Sequence, residues 1–193
     1  MKLIITIGVI VLASLYLLHL IFRKPPPPGE LESRLIKAGI IPGDGERLLG
    51  SGVFWKSKKT LMTEREIHFM QTLLNTVDLT RWYLCPQVRV ADIVELSPHI
   101  RARSKTWWRL FNMAAQWHCD VVIVDRRTFE IVAGVELDDA SHLKKQRVRR
   151  DILLNEVMRQ AGVPLLRDRD SQKLIAEVKI HLKYRAAKTE EKV

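Results

Sequence analysis

Two short apolar segments dominate the hydrophobic pattern of this chain. Residues 119–125 read Cys-Asp-Val-Val-Ile-Val-Asp and residues 130–137 read Glu-Ile-Val-Ala-Gly-Val-Glu-Leu, with Arg126-Arg-Thr-Phe129 between them. Runs of this length, rich in β-branched residues and bounded by polar turns, predict strands. Together they predict an antiparallel hairpin. Residues 119–125 are apolar on both faces, as in a central strand covered on two sides. By alternation, Asp120, Val122 and Val124 share one face, and Cys119, Val121 and Ile123 the other.

The remaining elements follow from spacing. Thr63 and Glu66 stand at capping-box distance, and Ile67, Met70, Leu73 and Leu74 supply an apolar face, so a helix is expected to about Asn75. Residues 82–90 read as a strand broken by Pro86, and residues 91–117 are less regular. Ser141 is the expected N-cap of a helix running to Gln160, with Gly162 as its stop. A short strand at 163–166 and a helix at 171–187 follow. Before the domain, residues 30–38 predict a short helix ending at Gly39, and Pro42-Gly43-Asp44-Gly45 and Gly50-Ser51-Gly52 are turn signals.

At the N-terminus, residues 3–22 are apolar and lack Asp, Glu, Lys and Arg. As a helix this run would span roughly 30 Å, the thickness of a bilayer core. A cleaved signal peptide is the competing reading, but no small-x-small site precedes Arg23-Lys24. The expectation is an anchor at 1–24, a proline-rich linker and juxtadomain segment at 25–54, a domain at 55–187 and a polar tail at 188–193. Pro25 to Pro28 favour an extended spacer. Arg23, Lys24 and the basic body are expected to place the domain on the cytoplasmic side of the membrane, as a single-pass protein.

The net charge of +10 adds an anionic partner to this picture, nucleic acid or a membrane surface. Two cysteines, Cys85 and Cys119, form neither a disulfide framework nor a metal-site spacing.

The acids inside the hairpin carry the chemistry. With the turn at 126–129, Asp120 falls opposite either Val135 or Glu136, and the second register sets two carboxylates side by side. Such a pair repels unless a cation compensates it. Mg²⁺ or Mn²⁺ takes oxygen ligands of this kind and can activate water against a phosphodiester. His142 could handle a proton of that water or of the leaving oxygen. Lys144, Lys145, Arg147, Arg149 and Arg150 could meet phosphates. Plainer readings exist for several of these residues. Asp138 and Asp139 could serve the N-terminal dipole of the next helix, Glu66 could be only a capping residue, and the basic face could be merely solvated. Trp107 and Trp108 could be core residues or membrane-surface anchors rather than base-stacking platforms.

These residues resemble the PD-(D/E)xK nuclease superfamily. The nearer resemblance is to a bacterial family called domain of unknown function 2726. It rests on Thr63-x-x-Glu66-x-x-Phe69, Asp120-Val-Val-Ile-Val-Asp125, Val135-Glu-Leu-Asp-Asp-Ala-Ser-His142, Arg147-x-x-x-Asp151 and Ala161-Gly-Val-Pro-Leu-Leu-Arg167. The E-x-D…H arrangement is also similar to very-short-patch-repair endonucleases. The resemblance implies a restriction-endonuclease-like α/β core, a mixed central sheet flanked by helices. It implies Glu66, Asp120 and Glu136 as ligands of Mg²⁺ or Mn²⁺. Asp120, Glu136, Asp138, His142, Lys144 and Lys145 would form the catalytic set, with Asp138 standing where the superfamily has its lysine. Lys144, Lys145, Arg147, Arg149 and Arg150 would bind nucleic acid, with DNA the expected substrate. The implied function is a membrane-anchored nuclease. The alternative is an inactive nuclease-like fold that binds nucleic acid or acts as a scaffold at the membrane.

Overall fold

The computed structural model describes residues 15–16, 28–138 and 145–190. Its residues divide into two compact units, 1–57 and 58–193. In the first, α1 (Glu30–Lys37) and α2 (Asp44–Gly50) form a helical pair joined by an Arg47–Glu32 ion pair at 3.2 Å. Gly39 closes α1 at φ +76, a left-handed conformation that costs glycine nothing. The turn signals at 42–45 and 50–52 flank α2, a helix the pattern did not predict. Glu46 binds the Gly43 amide and so caps it.

The second unit contains α3 (Glu64–Thr76), β1 (Trp82–Arg89), a 3₁₀ turn (Val90–Asp92), α4 (Lys105–Ala114), β2 (His118–Asp125), β3 (Ile131–Leu137), α5 (Lys145–Gln160), β4 (Leu165–Asp168) and α6 (Ser171–Glu190). The sheet order is β1-β2-β3-β4, antiparallel except for the parallel β3–β4 pair. This is a mixed α/β domain with helices on both faces of its sheet. On one face, Phe69 and Leu73 of α3 and Leu174, Val178 and Leu182 of α6 pack on Val121, Ile123, Val135 and Leu137. On the other, Ala114 of α4 and Leu154 and Met158 of α5 pack on Cys119 and Val122.

Several local outcomes differ from the pattern. β1 runs through Pro86 because it is an edge strand, where a missing amide donor is tolerated. The ladder to β4 begins at Leu165 rather than Val163, because the Gly134 amide first bonds the Pro164 carbonyl. Residues 105–114 form a regular helix, N-capped by Ser104. The expected helix start at Ser141 lies outside the described residues. Cys119 packs with Val122 rather than with Val121 and Ile123. Alternation breaks there because the β1–β2 ladder skips the Gln87/Asp120 position, where Gln87 adopts φ 53.

Gly134 lets α5 sit close to the sheet. A Cβ there would lie 2.9 Å from the Met158 methyl, 3.2 Å from Leu165 Cδ1 and 3.3 Å from Cys119 Sγ. Among the described residues no helix is long and apolar enough to cross a membrane. The expected anchor lies outside the described residues except for Leu15 and Tyr16.

Candidate functional site

A β-bulge in the hairpin decides which carboxylates meet. Near the turn, Val124 pairs with Ile131 and the Asp125 amide bonds the Glu130 carbonyl. Carried on unbroken, that register would set Asp120 opposite Val135. The register shifts between Ile123 and Val124, and Ile123 then pairs with Ala133, Val122 with Gly134 and Val121 with Val135. One extra residue on β3 thus advances the ladder by one place, as a bulge does. The next position sets Asp120 level with Glu136. Core packing agrees: Val132 and Val135, three residues apart, lie in the same cluster. His181 of α6 hydrogen-bonds the Val132 backbone, tying the bulge to that helix.

Glu136 is buried at 4% exposure, alone among charged or polar residues in the described core. Asp120 Oδ2 accepts a hydrogen bond from the Leu137 amide at 2.8 Å. Arg150 of α5 donates to Glu136 Oε1 at 3.4 Å and to the His118 carbonyl at 3.0 Å, and pairs with Asp151 at 3.4 Å. Burial pushes the Glu136 carboxyl up to about 8; the Asp120 charge adds to the rise, while Arg150 and Arg167 oppose it. Burial likewise raises Asp120 to about 6, against the pull of the Leu137 amide and with a further push from Glu66. Glu136 is therefore buried with Asp120 half-buried beside it, and Arg150 offsets part of their charge.

A second polar network stands beside them. Arg167 of β4 grips Asp138 through two bonds, Nε–Oδ2 at 3.2 Å and Nη2–Oδ1 at 2.6 Å. It also reaches Asp151 at 3.3 Å and Asn155 at 3.0 Å. Arg65 donates to the Asp138 carbonyl at 2.9 Å and the Arg169 carbonyl at 2.6 Å, fastening the start of α3 to the ends of β3 and β4. Asp138 is thus the anion of a bidentate ion pair. α5 is first described at Lys145, and residues 139–144 before it lie outside the described residues.

The other expected residues divide by position. Glu66 closes the capping box with the Thr63 amide at 2.7 Å, and it stands near enough to act on Asp120. Its capping role and its place beside the acids are both present. Among the described residues, no three of His, Cys, Asp or Glu gather as a metal-holding group, so Glu66, Asp120 and Glu136 are not one tight cluster. Arg150 turns inward to Glu136. Lys145 and Arg149 are exposed on α5, and Arg147 lies on the same helix. Asp139, His142 and Lys144 lie outside the described residues. Sequence reasoning missed Arg65, Asp151, Asn155 and Arg167 as parts of the site. The signal for two of them was in hand, since Asp151 and Arg167 end the Arg-x-x-x-Asp and Ala-Gly-Val-Pro-Leu-Leu-Arg strings.

The family model described as "Protein of unknown function (DUF2726)" matches residues 58–184. The chain belongs to this family. No curated protein and no solved structure matches it. The DUF2726 region holds every residue of the two networks, from Arg65 to Arg169.

The raised acids set a pH dependence. Glu136 has an ordinary value of 4.5 and a folded value of about 8, so the folded state keeps a proton that the unfolded chain has released. Its contribution to stability is complete below about pH 4.5 and falls as pH rises toward 8. Asp120 acts in the same direction between 3.8 and about 6. Glu156, lowered to about 2 by Arg159 and Gln160, acts below that window with the opposite sign. Thermal melts of the metal-free chain are expected to show a midpoint falling from pH 5 to pH 8. Glu136→Gln is expected to flatten that fall, and an equal fall in this variant would place its cause elsewhere.

Proposed function

We propose that this DUF2726 domain is a metal-dependent nuclease-like module with a restriction-endonuclease-like core, acting on phosphodiester bonds of nucleic acid, with DNA the first substrate to test. The observation that carries this is the bulge-aligned pair of buried Glu136 and half-buried Asp120 at the end of the central strands. Carboxylates raised by burial, with the Asp120 charge adding to the rise at Glu136, create a demand for a cation. The donor set suits Mg²⁺ or Mn²⁺, since Mg²⁺ is commonly held by one or two carboxylates with water and substrate phosphate completing the shell. When bound, such an ion polarises phosphoryl oxygens and lowers the pKa of a bound water.

The chain's own residues would do the rest. Asp120 and Glu136 supply the ligand oxygens, and the Leu137 amide orients Asp120. Arg150 neutralises part of the charge and positions Glu136. Lys145, Arg147 and Arg149 would present the basic helix to phosphates, with Lys144 before them. Arg167 and Arg65 hold the ends of β3 and β4 in register with α3. The apolar run 3–22 would tether the domain to a membrane with its basic body on the cytoplasmic side.

One observation favours a second reading, an inactive member of the same fold that binds nucleic acid. Asp138, at the superfamily's lysine position, is consumed by Arg167. That leaves proton transfer to His142, Lys144 or Lys145. The test is incubation of the full chain with single-stranded and duplex DNA and RNA in Mg²⁺, in Mn²⁺ and in chelator. Metal-dependent cleavage supports the nuclease, and binding without cleavage under either metal supports the inactive form.

A further inference from the structure

The exposed side of α4 carries a feature that the acid pair does not explain. Trp107, Leu110, Phe111 and Ala114 share one face at helical spacing and turn toward the domain; Ala114 is buried in the second core cluster. Trp108 lies one place off that face. It falls in line with Lys105, Arg109 and Asn112, all exposed, and is itself 46% exposed. A tryptophan on the charged side of an amphipathic helix contributes little to a core.

Its ring is nevertheless held. Trp107 stacks on Phe111 at 4.7 Å and 13°, and Trp108 stands edge-on to Trp107 at 4.7 Å and 87°. Trp108 is also edge-on to Phe111 at 6.0 Å. Arg101 and Arg103 precede the Ser104 cap and are exposed. Among the described residues, Arg101, Arg103, Lys105 and Arg109 have no carboxylate partner. A fixed ring among four uncompensated cations is complementary to a strand with free base faces and regularly spaced phosphates. A membrane surface fits less well, because the apolar face that would enter lipid is the one turned inward.

We propose that the outward face of α4, with Trp108 as its platform and Arg101, Arg103, Lys105 and Arg109 around it, binds single-stranded nucleic acid by base stacking and phosphate contact. This rests on the nucleic-acid reading of the site and extends it to strand type. The connection of α4 to β2, the strand that carries Asp120, is short, from Ala114 to His118.

The test is fluorescence anisotropy of the full chain, held in detergent and chelator, with labelled oligothymidylate and with a duplex of equal length. Trp108→Ala should weaken single-strand binding by about tenfold, in the range of one lost stacking contact, and leave duplex binding unchanged. Trp108→Phe should recover most of the loss, which a merely structural role would not require. Lys105→Gln with Arg109→Gln should weaken binding and reduce its salt dependence. Equal loss on both nucleic acids, no loss at Trp108, or no strand binding by the wild-type chain would overturn the inference. So would Trp108-dependent binding to anionic phosphatidylglycerol vesicles with strand binding untouched by the substitution. Cleavage is read separately with metal present, so Trp108-dependent strand binding stands even if the acid pair cuts nothing.

Discussion

Glu136→Gln is expected to abolish metal-dependent hydrolysis while leaving nucleic-acid affinity close to wild type. The substitution keeps the shape of the side chain and removes one of two charges that would hold the cation. Even residues behind metal ligands typically cost 10–100-fold when lost, so a direct ligand should cost at least about a hundredfold in rate. The variant should fold, because glutamine matches in shape and charge the protonated carboxyl that burial and the Asp120 charge favour. Arg150 retains the His118 carbonyl and Asp151 as partners. Single-turnover cleavage beside anisotropy separates the two effects. Loss of affinity with no loss of rate per bound complex would place Glu136 in binding rather than chemistry.

The second large effect is structural. Arg167→Ala should destabilise the domain by about 3 kcal/mol, the lower end of what stranding one member of a buried pair costs, because this pair is part-buried. The side chains of Arg167 and Asp138 are 16% and 19% exposed, so little water would reach the orphaned carboxylate. For a domain of this size the melting midpoint should fall by about 10 °C or more. Arg167→Met combined with Asp138→Leu should recover much of the loss, because removing both charges removes the desolvation penalty as well. A midpoint for Arg167→Ala within about 2 °C of wild type would show that this network carries little of the fold.

The two effects follow from features that the chain reveals unequally. The hairpin strands were legible as β-branched runs bounded by polar turns, and the helices at 64–76 and 171–190 from helical apolar spacing. α4 escaped because Trp108 and the basic residues of its outward face interrupt the sequence around it, although Trp107, Leu110, Phe111 and Ala114 kept the helical interval. The acid pair was legible only as far as two registers. A hairpin read from its turn gives Asp120 opposite Val135, and only the extra residue beyond Val124's partner moves Glu136 into place. A single-residue slip exchanges faces, and nothing in a run of Ile-Val-Ala-Gly-Val marks where it occurs. The ion pair of Asp138 was not foreseen for a related reason. Its partner, Arg167, lies 29 residues away on a parallel strand, a pairing that local spacing does not encode.

The central claim is that Asp120 and Glu136 together hold a divalent cation. Titration calorimetry of the full chain with Mn²⁺ at pH 7, repeated in buffers of different ionisation enthalpy, tests it most directly. Because Glu136 keeps a proton at that pH, binding should release about one proton per ion, as metal binding to protonated ligands does. Both Asp120→Asn and Glu136→Gln should lose the binding. Mn²⁺ binding that survives in either variant, or no binding by the wild-type chain, would contradict the claim.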